Sequence, residues 1–295
     1  MPLLEPFSAD FVVRAFVGGV LVALICGVVG TWVVIRGMAF LGEAIGHGML
    51  PGVALATVLG LPVLVGAAAS AVVMSGMIGI LQRRGRLSYD TSIGLLFVAM
   101  LSVGVIIVSH SRSFATDATG LLFGDILAIG PADIAGLAVA LVVTVVVVAA
   151  FHRAFVAAAF DTRVAATLGL RPQLSHVVLV ALVTLAVIAS FQAVGTLLVV
   201  GMLLAPAVAA RVWTTRIPST MVLAAATGIL AVTVGLVASW HLGTAAGPSI
   251  AVAAILLAAL SSAVRAAASL RATPHTPADP APGRDHRGLA LERTR

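Results

Sequence analysis

The sequence is a succession of long apolar runs, and that pattern leaves a chain very few folds to choose from. Runs at about 11–35, 40–59, 62–82, 91–110, 131–151, 174–193, 195–210, 219–239 and 247–265 are separated by glycine, proline and charge. Most of them reach the ~20 residues a helix needs to cross the hydrocarbon of a bilayer. Composition agrees: 61% of the 295 residues are hydrophobic and 9% are charged, against roughly 25% charged in a soluble domain. Inside lipid every backbone polar group must find its partner within the protein, which restricts spanning structures to helices and closed barrels. Alternating apolar and polar segments are missing, so a barrel is excluded. The expected fold is an all-α polytopic membrane protein, a bundle of about nine transmembrane helices. The stretch 174–210 contains no Asp, Glu, Lys or Arg and only a weak break from Gln192 to Gly195, so eight spans are the alternative.

Arginine placement gives an orientation. Putting Arg36, the Arg83/Arg84/Arg86 cluster, Arg153, Arg163, Arg171, Arg211, Arg216, Arg265 and Arg271 on the cytoplasmic side leaves only Arg14 and Arg112 outside, as the positive-inside rule requires. Residues 1–10 are then extracytoplasmic, 11–266 form the transmembrane domain, and 267–295 form a cytoplasmic tail. That tail is rich in Pro, Arg and Asp and is expected to be disordered. The first residues, MPLLEPFSAD, lack a basic n-region, so no cleavable signal peptide is expected. The chain is expected to be a multi-pass membrane protein with a cytoplasmic C-terminus.

All 17 basic residues are arginine. Without lysine the chain cannot hold a standard phosphate-binding loop, whose lysine reaches the terminal phosphates. Any ATP-driven process would need hydrolysis by a partner subunit, so the chain itself is not expected to be an enzyme. The arginines are dispersed at helix ends, which argues against nucleic acid. The single Cys26 lies in an apolar run and reads as a small core hydrophobe.

One span departs from the rest. "FLGEAIGHGMLPG" at 40–52 carries Glu43, the only acidic residue well inside a predicted span, and His47 four residues later. That spacing puts both side chains on one helical face. A carboxylate at the centre of a membrane helix costs ~2.5–3.5 kcal/mol on insertion scales and so needs a partner or a wet cavity. Together the two groups offer oxygen and nitrogen ligands that zinc and manganese both accept. Pro51 has no N–H, so the His47 carbonyl loses its helical donor. Gly42/Gly46 and Gly48/Gly52 have the GxxxG spacing that lets another helix approach closely. A metal site wants about four ligands, and a second copy across a dimer axis would provide the missing two. The alternative is that Glu43 and His47 bond each other and only hold the bundle together.

A second segment lies on the predicted cytoplasmic side, within the long connection 152–173. In "FDTRVAATLGL", Asp161 can cap a short helix, Val164, Ala165 and Leu168 form an apolar stripe, and Gly169 ends the turn. Such a helix serves a docking partner or lies on lipid; local residues leave both open.

"VVIRGMAFLGEAIGHGMLPGVAL" closely resembles the permease subunits of the bacterial ABC-3 family, importers of zinc, manganese or iron. The family pattern falls here on Arg36, Gly42, Glu43, His47, Pro51 and Gly52, with Glu43 where members commonly have aspartate. The resemblance runs from about residue 14 to 265 and includes "LLFGDIL" at 121–127 and "LLAPAVAAR" at 203–211, where Pro206 would kink its helix. It implies a translocation role for Glu43 and His47. It also implies that residues 160–170, with Phe160, Asp161, Ala165, Leu168, Gly169 and Leu170, dock onto the ATPase. The implied partners are a cytoplasmic ATP-binding subunit, an extracytoplasmic metal-binding protein and a second copy of the chain. The implied cargo is a divalent metal ion, zinc or manganese ahead of iron, with no permanently bound cofactor. A proton-coupled secondary transporter using the same pair as a relay is the rival reading. Read on residues alone, 124–125 form a turn, His110, His152, His176 and His241 lie at helix ends, and Trp32, Trp213 and Trp240 are interfacial anchors.

Overall fold

The computed structural model describes residues 7, 9–83, 88–110 and 124–272. The helices are α1 (Asp10–Ile35), α2 (Ala39–Gly48), α3 (Leu50–Leu59), α4 (Val63–Arg83), α5 (Tyr89–His110), α6 (Pro131–Phe160), α7 (Thr162–Thr167), α8 (Pro172–Arg211), α9 (Ile217–Leu242) and α10 (Ala246–Ala272), with a short 3-10 turn at Ile126–Ala128. Among the described residues, nine stretches are long and apolar enough to cross a membrane. α2 and α3 together make one, Ala39–Leu59, and α8 contributes two, Pro172–Phe191 and Ala193–Arg211.

Nine rather than eight spans follow from a single residue. Gly195 adopts φ 70° and ψ 170° inside α8, a conformation essentially reserved for glycine. Both ends of α8 lie on the same side of the bundle. Near its start, His176 packs edge-on against Tyr89 (5.6 Å), whose hydroxyl donates to Met38 Sδ at the α1–α2 junction (3.3 Å). At its end, Arg211 Nη1 donates to the Val34 carbonyl near the end of α1 (3.2 Å). α8 is therefore a hairpin folded at Gly195. Pro206 lies inside the second half, but the break is at Gly195.

The interior is held by close approach, because lipid tails are as apolar as leucine and give helices no hydrophobic reason to associate. A methyl on Gly30 of α1 would run into the Leu203 carbonyl, one on Gly27 into the Ala225 backbone, and one on Gly235 into Ile250. α1 is the central post: Ala15, Ile25, Cys26, Val29, Trp32 and Val33 are all buried. Trp32 is 0% exposed, packed against Phe155 at 5.3 Å and His152 at 5.9 Å. It is a core residue and not an interfacial anchor. The reason is that α6 continues past 151 to Phe160, so its last turns cover the end of α1. His152 accordingly lies within a helix rather than at its end. Trp213 and Trp240 remain exposed.

Candidate functional site

Glu43 and His47 occupy adjacent turns of α2, and His47 Nε2 lies 2.8 Å from Glu43 Oε1. They bond each other, so each satisfies part of the other's polar requirement inside an apolar span. Neither is sealed. Their side chains are 28% and 17% exposed, whereas Ala44 and Ile45 between them, and Leu41 just before, are fully buried. Within 40–51, Phe40, Glu43, His47 and Leu50 are the residues not buried, and their spacing of 3, 4 and 3 residues is one helical stripe. The His47 ring packs edge-on against Phe97 of α5 at 5.6 Å, and Phe97 meets Phe40 at 5.6 Å. Phe97 is a site residue that sequence reasoning missed; nothing in "GLLFVAM" marks it. Among the described residues no third His, Cys, Asp or Glu joins the pair.

The glycines of α2 and α3 face two different neighbours. Gly42 packs on the Leu203 side chain and Gly46 on Thr196, both in the second half of α8. A methyl on Gly48 would strike Met74 of α4, and one on Gly52 would strike the Gly66 carbonyl of the same helix. Ser70 Oγ of α4 also donates to the Gly48 carbonyl (2.7 Å). Pro51 is buried at the second position of α3, just past Met49, where the two helices meet. These contacts set where the pair lies along its neighbouring helices. Leu203, on which Gly42 rests, backs onto Gly30, five residues inside the end of α1, or about 8 Å at 1.5 Å per residue. Gly46 reaches Thr196, the residue after the α8 bend. Thr196 Oγ1 is buried with no protein partner among the described residues, a second feature the sequence did not flag.

At the end where α2 begins, Arg36 Nη1 donates to the Ala158 carbonyl (2.5 Å), one of the terminal carbonyls that α6 cannot satisfy by itself. Burial pushes the Arg36 guanidinium below its usual range, with Tyr89 pulling the other way. Two residues beyond Ala158 the segment 160–170 starts. Asp161 caps α7 by accepting from the Arg163 N–H (2.7 Å). Gly169 ends it at φ 71°, with Leu170 N–H returning to the Ala165 carbonyl (3.0 Å). Ala165 is buried, but Phe160 and Leu168 are 85% and 66% exposed, so the apolar groups of this segment project outward. The side chain of Val164 lies outside the described residues.

The "LLFGDIL" stretch is described from Gly124 onward; 121–123 lie outside the described residues. Gly124 has φ 63°, which is the turn read from sequence, and Asp125 Oδ1 caps the next residues by accepting from the Leu127 N–H (3.2 Å). A side chain on Gly124 would collide with Gly195 and Val194. The loop therefore rests on the α8 hairpin bend, glycine on glycine.

Comparison with known proteins gives a consistent result. The model of the family described as "ABC 3 transport family" matches residues 8–265. The manganese transport system membrane protein MntC of Listeria monocytogenes is 32% identical over 248 residues, covering 84% of this chain and 88% of that protein. The chelated iron transport system membrane protein YfeD of Yersinia pestis is 31% identical over 250 residues, covering 84% and 83%. Among solved structures, PsaBC from Streptococcus pneumoniae in complex with Fab superposes with a TM-score of 0.77 at 29% identity, covering 88% of this chain and 94% of that one.

Proposed function

The chain belongs to the ABC 3 transport family, and we propose that it passes a divalent transition-metal ion along α2, with Glu43 and His47 as transient ligands. It is the membrane-spanning permease subunit of an ATP-binding-cassette importer; the proton-coupled reading is not favoured by this membership. The observation that carries the ligand assignment is the 2.8 Å Glu43–His47 pair on the partly open stripe of an otherwise buried span. Relatives are named for manganese and for iron, which supports manganese first, with iron and zinc also compatible with a carboxylate and an imidazole.

Two ligands per chain do not complete a metal shell. A two-fold copy places a second pair opposite the first, because a symmetric interface presents the same stripe on both subunits. The translocation path then runs between two α2 helices, with Phe40 and Phe97 walling it. Four protein ligands that must also release the ion form a weak site, as conduction requires.

A partner ATPase supplies the energy, since the chain has no lysine for a phosphate-binding loop. Its docking surface is the 160–170 segment, where the exposed Phe160 and Leu168 offer apolar anchors. Arg36 transmits motion from that segment: it holds the last turn of α6 and stands three residues before α2. An extracytoplasmic binding protein delivers the ion at the opposite face, and the C-terminus is cytoplasmic. Uptake of radioactive manganese by cells carrying Glu43→Gln tests the ligand assignment. Uptake falls at least tenfold with the protein still in the membrane; unchanged uptake would overturn it.

A further inference from the structure

Away from the α2 path, the end of α8, the first turns of α9 and the middle of α10 enclose a cleft of about 280 Å³. Its walls are Ala209, Leu223, Leu257, Leu260 and Val264, with Thr227 among them and Trp213 at one end. The Trp213 indole N–H donates to Ser261 Oγ (2.7 Å), and that hydroxyl donates to the Ala209 carbonyl (3.0 Å). The indole thereby bridges α8 and α10. The Arg265 guanidinium stands 5.6 Å from the centre of the Trp213 ring. Arg211 and Arg216, both exposed, flank Trp213 in the same connection.

Among the described residues no carboxylate lines this mouth. Between residues 200 and 272 the sequence contains no Asp or Glu, and among the described residues no arginine is ion-paired with a carboxylate. Arg211 spends one N–H on the Val34 carbonyl, which is neutral. An arginine stacked on an indole at the end of a membrane span, above an apolar slot open to lipid, matches a molecule that is anionic at one end and aliphatic at the other. Phosphate suits guanidinium, tryptophan suits the boundary between headgroup and chain, and basic pockets between helices select anionic lipid headgroups. Thr227 lies ten residues into α9 from Ile217, so the slot reaches about 15 Å inward, deep enough for much of an acyl chain.

We propose that this cleft is a binding site for an anionic glycerophospholipid, with the phosphate on Arg265 and one acyl chain between α9 and α10. A zwitterionic lipid brings its own cation to the same arginine and is held less well. The site is independent of metal passage along α2.

The test is native mass spectrometry of the full chain in detergent, titrated with palmitoyl-oleoyl phosphatidylglycerol or the phosphatidylcholine with the same chains. The wild type retains phosphatidylglycerol about fivefold more strongly, the factor that about 1 kcal/mol from one arginine, Arg265, corresponds to. Arg265→Gln abolishes that preference, while Arg153→Gln, which removes an exposed arginine on α6 instead, keeps it. Thr227→Phe, which fills the slot and leaves the arginines in place, lowers retention of both lipids. Equal retention of the two lipids by wild type overturns the proposal, as does a preference that survives Arg265→Gln. Undiminished retention by Thr227→Phe overturns the placement of the chain.

Discussion

The two faces of the Ala39–Leu59 span obey opposite rules. The buried side carries Gly42 and Gly46 against Leu203 and Thr196 of α8, and Gly48 and Gly52 against Met74 and Gly66 of α4, with Leu41, Ile45 and Met49 buried among them. The other carries Phe40, Glu43, His47 and Leu50 and stays partly open. The first gains stability from van der Waals contact that only an absent Cβ allows. The second accepts the cost of ionisable groups and reduces it by pairing them. A helix that must be anchored and yet present ligands divides those tasks around its circumference, so substitutions on the two faces should fail in different ways.

The largest effect is expected on the glycine face. Gly52→Val puts a side chain into the Gly66 carbonyl, and backbone yields less readily than a flexible side chain; overpacking costs at least ~1–3 kcal/mol. Folded protein should be lost from the membrane, as a quantitative blot or size-exclusion profile would reveal. Normal yield would mean that the α3–α4 contact is looser than its geometry implies.

On the open face, His47→Ala should leave abundance unchanged and lower manganese uptake about tenfold or more, the scale of losing metal-binding support. The double change of Glu43 and His47 to alanine should be scarcely worse than either single change, since residues acting as a unit are non-additive. Multiplying losses would instead assign the two residues separate tasks.

Arg36 lies where both faces begin. Arg36→Gln removes a charge-assisted bond to the Ala158 carbonyl, worth about 1.5–3 kcal/mol. The midpoint of thermal unfolding should drop, and uptake should fall relative to ATP hydrolysis, measured together in proteoliposomes. A coupling ratio equal to wild type would confine Arg36 to stability. The smallest effect is expected at Phe97. Phe97→Leu removes an aromatic contact of about 0.5–1.5 kcal/mol from the His47 ring, and should weaken apparent metal affinity a few-fold with the maximal rate nearly unchanged. A wild-type affinity would make Phe97 mere packing.

Much of this was legible in the sequence because it is local. Helix length, the four-residue spacing of Glu43 and His47, the glycine spacing, the Asp161 cap and the Gly169 stop all depend on residues within one or two turns of each other. What escaped was long-range. Trp32 reads as an interfacial anchor because tryptophan near a helix end usually is one; it is buried because α6 runs nine residues beyond 151, and nothing in "HRAFVAAAF" marks that continuation against a loop. Phe97 is an unremarkable aromatic in a greasy run until α5 packs it against His47.

The sequence by itself determined that the chain is a bundle of membrane-crossing helices and which side chains share a helical face, since hydrocarbon thickness and the 3.6-residue period act on neighbours along the chain; nine crossings rather than eight waited on the Gly195 bend. Tertiary structure alone decided which helix each glycine meets, that Gly124 rests on Gly195, and that Arg36 reaches a carbonyl 122 residues away. In lipid, apolar helices carry no amphipathic stripe to say which surface faces inward. Partner choice is left to shape, and shape exists only once the helices are assembled.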